Sequence, residues 1–166
     1  MSDQPLNVLF LCTGNSARSI LGEAILNLDG EGRFKAYSAG SNPTGTVNLW
    51  AIHTLKTLGY PAEDYSSKSW SEFADGPEFD LIFTVCDSAA AETCLIWPGR
   101  PTSAHWGIPD PAAAEDSDAE KAAAFLDAFH MLKSRIDLML ALPIASLEQI
   151  ALSEKLQAIR KGADKQ

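Results

Sequence analysis

No stretch of this 166-residue chain approaches the ~20 consecutive apolar residues of a membrane span. The opening Met1-Ser2-Asp3-Gln4-Pro5 lacks the basic segment and apolar core of a secretory signal. A cytoplasmic location is therefore expected. Basic residues are scarce: 13 Lys and Arg against 22 Asp and Glu leave a net charge of −9. That balance argues against general nucleic-acid binding, which needs a basic face. It also means that any anion site must be local, made of backbone dipoles and a few side chains. Cysteine is scarce too, with only Cys12, Cys86 and Cys94. In a reducing compartment three cysteines do not make a disulfide framework. Seven residues separate Cys86 from Cys94, wider than the roughly two to four usual between paired zinc ligands. No metal is expected, and a redox role for the pair is the better reading. Repeats and low-complexity segments are also missing. The 46% hydrophobic content fits one domain with a proper core.

Strands are predicted at Asn7–Leu11, Phe34–Ser38, Leu81–Val85 and Ser103–His105, and helices at Ser19–Leu28, Asn48–Leu58, Ser69–Phe73, Ala119–Leu142 and Ser146–Lys161. Strands alternate with helices, which predicts an α/β fold: a four-stranded parallel sheet with helices on both faces. Leu81-Ile82-Phe83-Thr84-Val85 reads as a strand buried on both sides. The long helix carries an apolar stripe of Ala122, Phe125, Leu126, Phe129, Leu132, Ile136 and Met139. Pro143 ends it. This divides the chain into a main domain, 1–142, and a C-terminal helical extension, 143–166, that packs on the same domain or on a partner subunit.

The segment Cys12-Thr13-Gly14-Asn15-Ser16-Ala17-Arg18-Ser19 follows the apolar run Val8-Leu9-Phe10-Leu11 and opens the first helix. A loop of this length can curl so that successive N–H groups form an anion nest. The helix N-terminus adds partial positive charge to the same place. Arg18 supplies a planar clamp for a tetrahedral oxyanion. The same fields favour the nucleophilic thiolate of Cys12. The plain alternative is an inert cysteine before a helix cap, but it accounts for neither Arg18 nor the coincidence of strand, Cys and helix start.

This Cys-x5-Arg segment resembles the phosphate loop of the low-molecular-weight protein tyrosine phosphatase superfamily, and more closely that of the arsenate reductases built on the same fold. The likeness runs from about Asn7 to Leu142. It implies a loop of Thr13, Gly14, Asn15, Ser16, Ala17, Arg18 and Ser19 around the oxyanion, arsenate or phosphate-like, with Cys12 as nucleophile. Asn15 and Ser19 are expected to hydrogen-bond and hold the loop, plain capping being the other reading.

Asp110 sits between Pro109 and Pro111 in Ala104-His105-Trp106-Gly107-Ile108-Pro109-Asp110-Pro111. A carboxyl held over the loop by flanking prolines fits a general acid for the leaving oxygen. A turn aspartate beside proline is the alternative. Phosphatases of this fold often place aromatics after the acid; here Ala112, Ala113 and Ala114 follow, which weakens a tyrosine-phosphatase reading. His105 and Trp106 are read as structural supports.

Cys86 closes the third strand and is expected on the same sheet edge as Cys12. Arsenate reductases of this fold relay oxidation from the loop cysteine through two further cysteines, and Cys86 and Cys94 stand for both. A continuous helix would part them by ~12 Å, beyond the reach of a disulfide at roughly 4.4–6.8 Å. Their pairing therefore requires the segment to unwind. The implied enzyme holds no bound cofactor and needs an external thiol reductant. Thioredoxin is favoured because an internal dithiol is present, with glutaredoxin, glutathione or mycothiol as alternatives. The competing functions are a low-molecular-weight tyrosine phosphatase, which needs only Cys12, Arg18 and Asp110, and a non-catalytic oxyanion-binding regulator. Asn15, Glu23 and Ser38 further resemble potassium-binding positions of some reductases. The matching acidic position is Lys68, whose ammonium supplies the charge itself. The expectation is independence from potassium, against a plain surface lysine.

Overall fold

The computed structural model describes residues 5–62, 65–73, 77–85, 102–109, 111, 117–142 and 154–159. Four strands, β1 (Leu6–Cys12), β2 (Phe34–Gly40), β3 (Leu81–Thr84) and β4 (Thr102–His105), form one parallel sheet in the order β2-β1-β3-β4. The chain thus reverses direction across the sheet after β2, and β1 and β3 are adjacent at its centre. β2 runs two residues beyond its expected end because the ladder pairs Leu11 with Ala39 and Cys12 with Gly40. The turn-prone Ala39-Gly40 is held extended by its neighbour strand. β3 is buried along its whole length, as its unbroken apolar run predicts.

Helix α1 (Arg18–Asp29) returns along one face of the sheet. Gly22 lets it lie against Phe10, since a Cβ there would meet the ring at 2.8 Å. Helix α2 (Leu49–Thr57) starts at Asn48, whose side chain accepts from the Trp50 N–H. Helix α3 (Asp118–Leu140) is capped by Ser117, which accepts from the Glu120 N–H. It packs against α1 and α2. The Asp29 carboxylate joins these elements, accepting from Tyr60 Oη at 3.0 Å and Lys133 Nζ at 2.9 Å.

The other face carries Tyr37, packed edge-on against Phe73 and Phe79. Phe73 belongs to Trp70–Phe73, a single 3-10 turn where a helix from Ser69 was expected. Leu126 also departs from its expected place in the α3 stripe, at 38% exposure. The buried face runs through Phe125, Ala128, Phe129, Leu132, Arg135, Ile136 and Met139. A charged residue therefore occupies a core position that the apolar periodicity passed over.

A last helix, α4 (154–159), is the described part of the C-terminal extension. Leu156 is buried and its carbonyl accepts from Trp106 Nε1 at 3.0 Å. The boundary at Pro143 lies outside the described residues, as do Cys86, Cys94, Asp110 and Ala112–Ala114. Among the described residues no helix is long and apolar enough to cross a membrane.

Candidate oxyanion site

β1 ends on Cys12, buried at 6% exposure, and α1 starts at Arg18, so residues 13–17 form the loop between them. The outer wall of that loop is hydrogen-bonded almost residue by residue. Thr13 O accepts from the Asn42 N–H at 2.9 Å, and Gly14 O from the Thr44 N–H and Ser67 Oγ at 3.0 Å each. Ser16 O accepts from the Asn48 N–H at 2.9 Å. In a planar trans peptide the next residue's N–H points opposite to the carbonyl. With these three carbonyls turned outward, the N–H groups of Gly14, Asn15 and Ala17 turn into the loop. That is the arrangement an anion nest needs.

Asn15 takes φ +46°, a left-handed conformation that Asn tolerates better than most side chains. It is fully buried; its Nδ2 donates to Ser19 Oγ and its Oδ1 accepts from the Lys68 N–H, both at 2.8 Å. Asn15 and Ser19 thus brace the loop with their side chains, as expected. Gly40 passes directly beneath: a Cβ there would collide with Thr13 O and come within 2.7 Å of Cys12 O. Its N–H donates to Lys68 O at 3.0 Å.

The N-terminus of α1 has no side-chain cap and no acidic residue in its first turn. Its positive end is thus not offset by an acid of its own. Arg18 leans from this turn across the sheet edge, where Nη1 donates to Ile108 O at 3.0 Å. Ile108 lies in the stretch that leads to Asp110. That stretch continues the sheet ladder, with Trp106 N–H on Thr84 O at 2.7 Å and Ile108 N–H on Val85 O at 3.2 Å. Trp106 is fully buried and stacks on Phe83 at 3.8 Å between ring centroids, which makes it a support. His105 Nδ1 pairs with Thr84 Oγ1 at 2.7 Å.

Lys68 is not a plain surface lysine. Its Nζ donates to Ser38 O at 3.0 Å and Ser66 O at 2.7 Å. Glu23 stands beside it and accepts from Ser38 Oγ at 2.5 Å. Burial pushes the Glu23 carboxyl up to about 7, against the Ser38 hydrogen bond and the Lys68 charge, which both lower it. An ammonium held by two carbonyls beside a carboxyl leaves these groups a poor fit for a separate potassium ion. Among the described residues no group of three or more His, Cys, Asp or Glu could hold a metal.

The structure therefore brings Cys12, the loop 13–17, Arg18 and Ser19 together; Cys86, Cys94 and Asp110 lie outside the described residues. Ser67 and Asn48 had no visible signal as supports of the loop. Ser67 lies more than 50 residues from the loop it holds, and Asn48 reads from sequence only as a helix start.

The model of the low molecular weight phosphotyrosine protein phosphatases matches residues 7–151. The chain belongs to that family. Within it, an arsenate reductase of Halalkalibacterium halodurans is 36% identical over 118 residues, covering 71% of this chain and 83% of the relative. One from Bacillus subtilis is 36% identical over 121 residues, with the same coverage of 71% and 83%. Among solved structures, an arsenate reductase from Archaeoglobus fulgidus superimposes with a TM-score of 0.65 at 26% identity. That match covers 81% of this chain and 99% of the other.

Proposed function

We propose that this protein reduces arsenate to arsenite on the Cys12–Arg18 loop. The observation that carries the reading is the 36% identity to bacterial arsenate reductases over 118 residues. The outward-turned carbonyls of the loop and the bare helix end beside Arg18 support it chemically. Arsenate lies in the loop against the N–H groups of Gly14, Asn15 and Ala17 and the guanidinium of Arg18.

The thiolate of Cys12 attacks arsenic(V). An As–S bond forms, one As–O bond breaks, and the oxygen leaves as water with a proton from Asp110. The Cys86 thiolate then attacks the Cys12 sulfur. The S–S bond forms, the As–S bond breaks, and its electron pair stays on arsenic, which departs as arsenite. The two sulfurs have together lost the two electrons that arsenic gained. Cys94 attacks the Cys86 sulfur and returns Cys12 as thiolate. An external dithiol, for which thioredoxin is the first choice and glutaredoxin or a small thiol the alternative, reduces the Cys86–Cys94 bond. Such a cycle belongs in a reducing compartment, the cytoplasm.

A single turnover of fully reduced protein with arsenate tests this. The expected result is stoichiometric arsenite with a Cys86–Cys94 disulfide by mass mapping. Cys86→Ser and Cys94→Ser each allow at most one turnover. The family match favours one other reading, a phosphatase. Hydrolysis of an aryl phosphate with all thiols still reduced, and no arsenite, would establish it instead. Cys12→Ser stops either enzyme while leaving oxyanion binding in place.

A further inference from the structure

Arg135 is a guanidinium on the core face of α3, at 1% exposure, among Leu132, Ile136 and Met139. Burying an arginine is costly unless its donors are used. Its Nη1 donates to Trp106 O at 2.8 Å and Gly107 O at 3.1 Å. The very next carbonyl, Ile108 O, is the acceptor for Arg18. Two guanidiniums from different helices therefore hold three consecutive carbonyls. The N–H groups of Trp106 and Ile108 are meanwhile committed to β3 and the residue after it.

We infer that Arg135 is a positioning residue for the oxyanion clamp, acting through the Trp106–Ile108 segment on Arg18. This rests on the oxyanion reading of the Cys12–Arg18 loop. A single peptide unit separates Gly107 O from Ile108 O. A shift in the grip on the first is therefore passed to the acceptor that orients Arg18. Displacement of a binding group by about 1 Å can cost on the order of 100-fold in such a site. An apolar residue at 135 would fill the volume in α3 but leave Trp106 O and Gly107 O without these donors. A lysine reaches the same place with a charge but without the planar fork.

The probe is inorganic phosphate, read by its protection of Cys12 from alkylation, with the modified peptide identified by mass. The expected result for Arg135→Met is a phosphate constant weakened about tenfold, with Arg135→Lys in between. The control is Leu132→Ala, which loosens the same buried face of α3 and removes no hydrogen-bond donor. If it weakens phosphate as much as Arg135→Met at equal loss of thermal stability, packing is the cause and the inference falls. It also falls if both Arg135 variants bind phosphate within about twofold of the parent. The parent protein supplies a readout that does not depend on folding of the variants. Saturating phosphate is expected to move the NMR resonances of the Arg135 guanidinium and of the Trp106–Ile108 amides. Resonances that stay in place while Cys12 is protected overturn the coupling. No protection of the parent at all overturns the oxyanion reading itself.

Discussion

The Oδ1 of Asn15 accepts the backbone N–H of Lys68 at 2.8 Å, and with Ser67 Oγ on Gly14 O this bond fastens the oxyanion loop to a segment 53 residues away. The Nδ2 of the same side chain donates to Ser19 in the first turn of α1. Asn15 thereby joins three pieces of chain at a residue with positive φ.

Asn15→Ala removes both hydrogen bonds and puts a Cβ-bearing residue with no local hydrogen bond into the left-handed region. The expected loss is about 2–4 kcal/mol in urea unfolding, from two buried groups left without partners and from backbone strain. Phosphate protection of Cys12 is expected to weaken in parallel. Unchanged stability and protection would show that the loop holds its shape without this brace.

Gly40→Ala places a methyl against Thr13 O and Cys12 O, which are backbone atoms and have little room to give. The expected outcome is a folded sheet with a displaced loop. Circular dichroism should be retained while arsenite formation falls at least tenfold. Gly45→Ala makes a useful contrast. Unlike Gly40 it has a positive φ of +86°, and a Cβ there meets nothing, so the change is expected to cost stability by about 1 kcal/mol.

Glu23 makes stability depend on pH. Its carboxyl rises from 4.5 to about 7 on folding, so the folded state holds the proton more tightly than the unfolded chain. The contribution is full below pH 4.5 and is lost as pH rises through about 7. The expected decline attributable to this group is about 3 kcal/mol across that window. Glu23→Gln is expected to flatten the slope between pH 5 and 7, roughly, and to be more stable than the parent at about pH 8. Parallel pH profiles for parent and variant would remove Glu23 as the source.

Lys68 already places an ammonium on Ser38 O and Ser66 O. Turnover with arsenate is therefore expected to be equal in sodium and potassium buffers of the same ionic strength. Lys68→Met takes the donor away from both carbonyls, and sensitivity to the cation is expected to appear there. Stimulation of the parent by potassium would contradict the geometry.

Much of the sheet was legible because its strands are short apolar runs bounded by turn residues, and local composition carries that information. The Cys12–Arg18 loop was legible for a similar reason: strand end, anion loop and helix start are contiguous in the chain. Less legible were places where distant residues meet. Ser67 on Gly14 O and Asn48 on Ser16 O depend on how the chain after β2 folds back. Arg135 was hidden because a helical stripe is read from its apolar members, and a buried arginine looks like an interruption. Residues 69–73 were read as a helix from their spacing, yet one 3-10 turn suffices to bring Phe73 against Tyr37.

By itself the sequence determined the parallel α/β architecture and the place of Cys12 and Arg18 at the two ends of one loop. Both follow from residues close together in the chain, where backbone preference and hydrophobic period act. Only the tertiary structure decided which way the loop's carbonyls face, where the Lys68 ammonium rests, and that Arg135 and Arg18 grip consecutive carbonyls of one segment. Those outcomes depend on hydrogen bonds between distant parts of the chain, such as Arg135 to Gly107, 28 residues apart, and Arg18 to Ile108, 90 residues apart. Such bonds form only after packing has removed water and left each buried donor to find its acceptor.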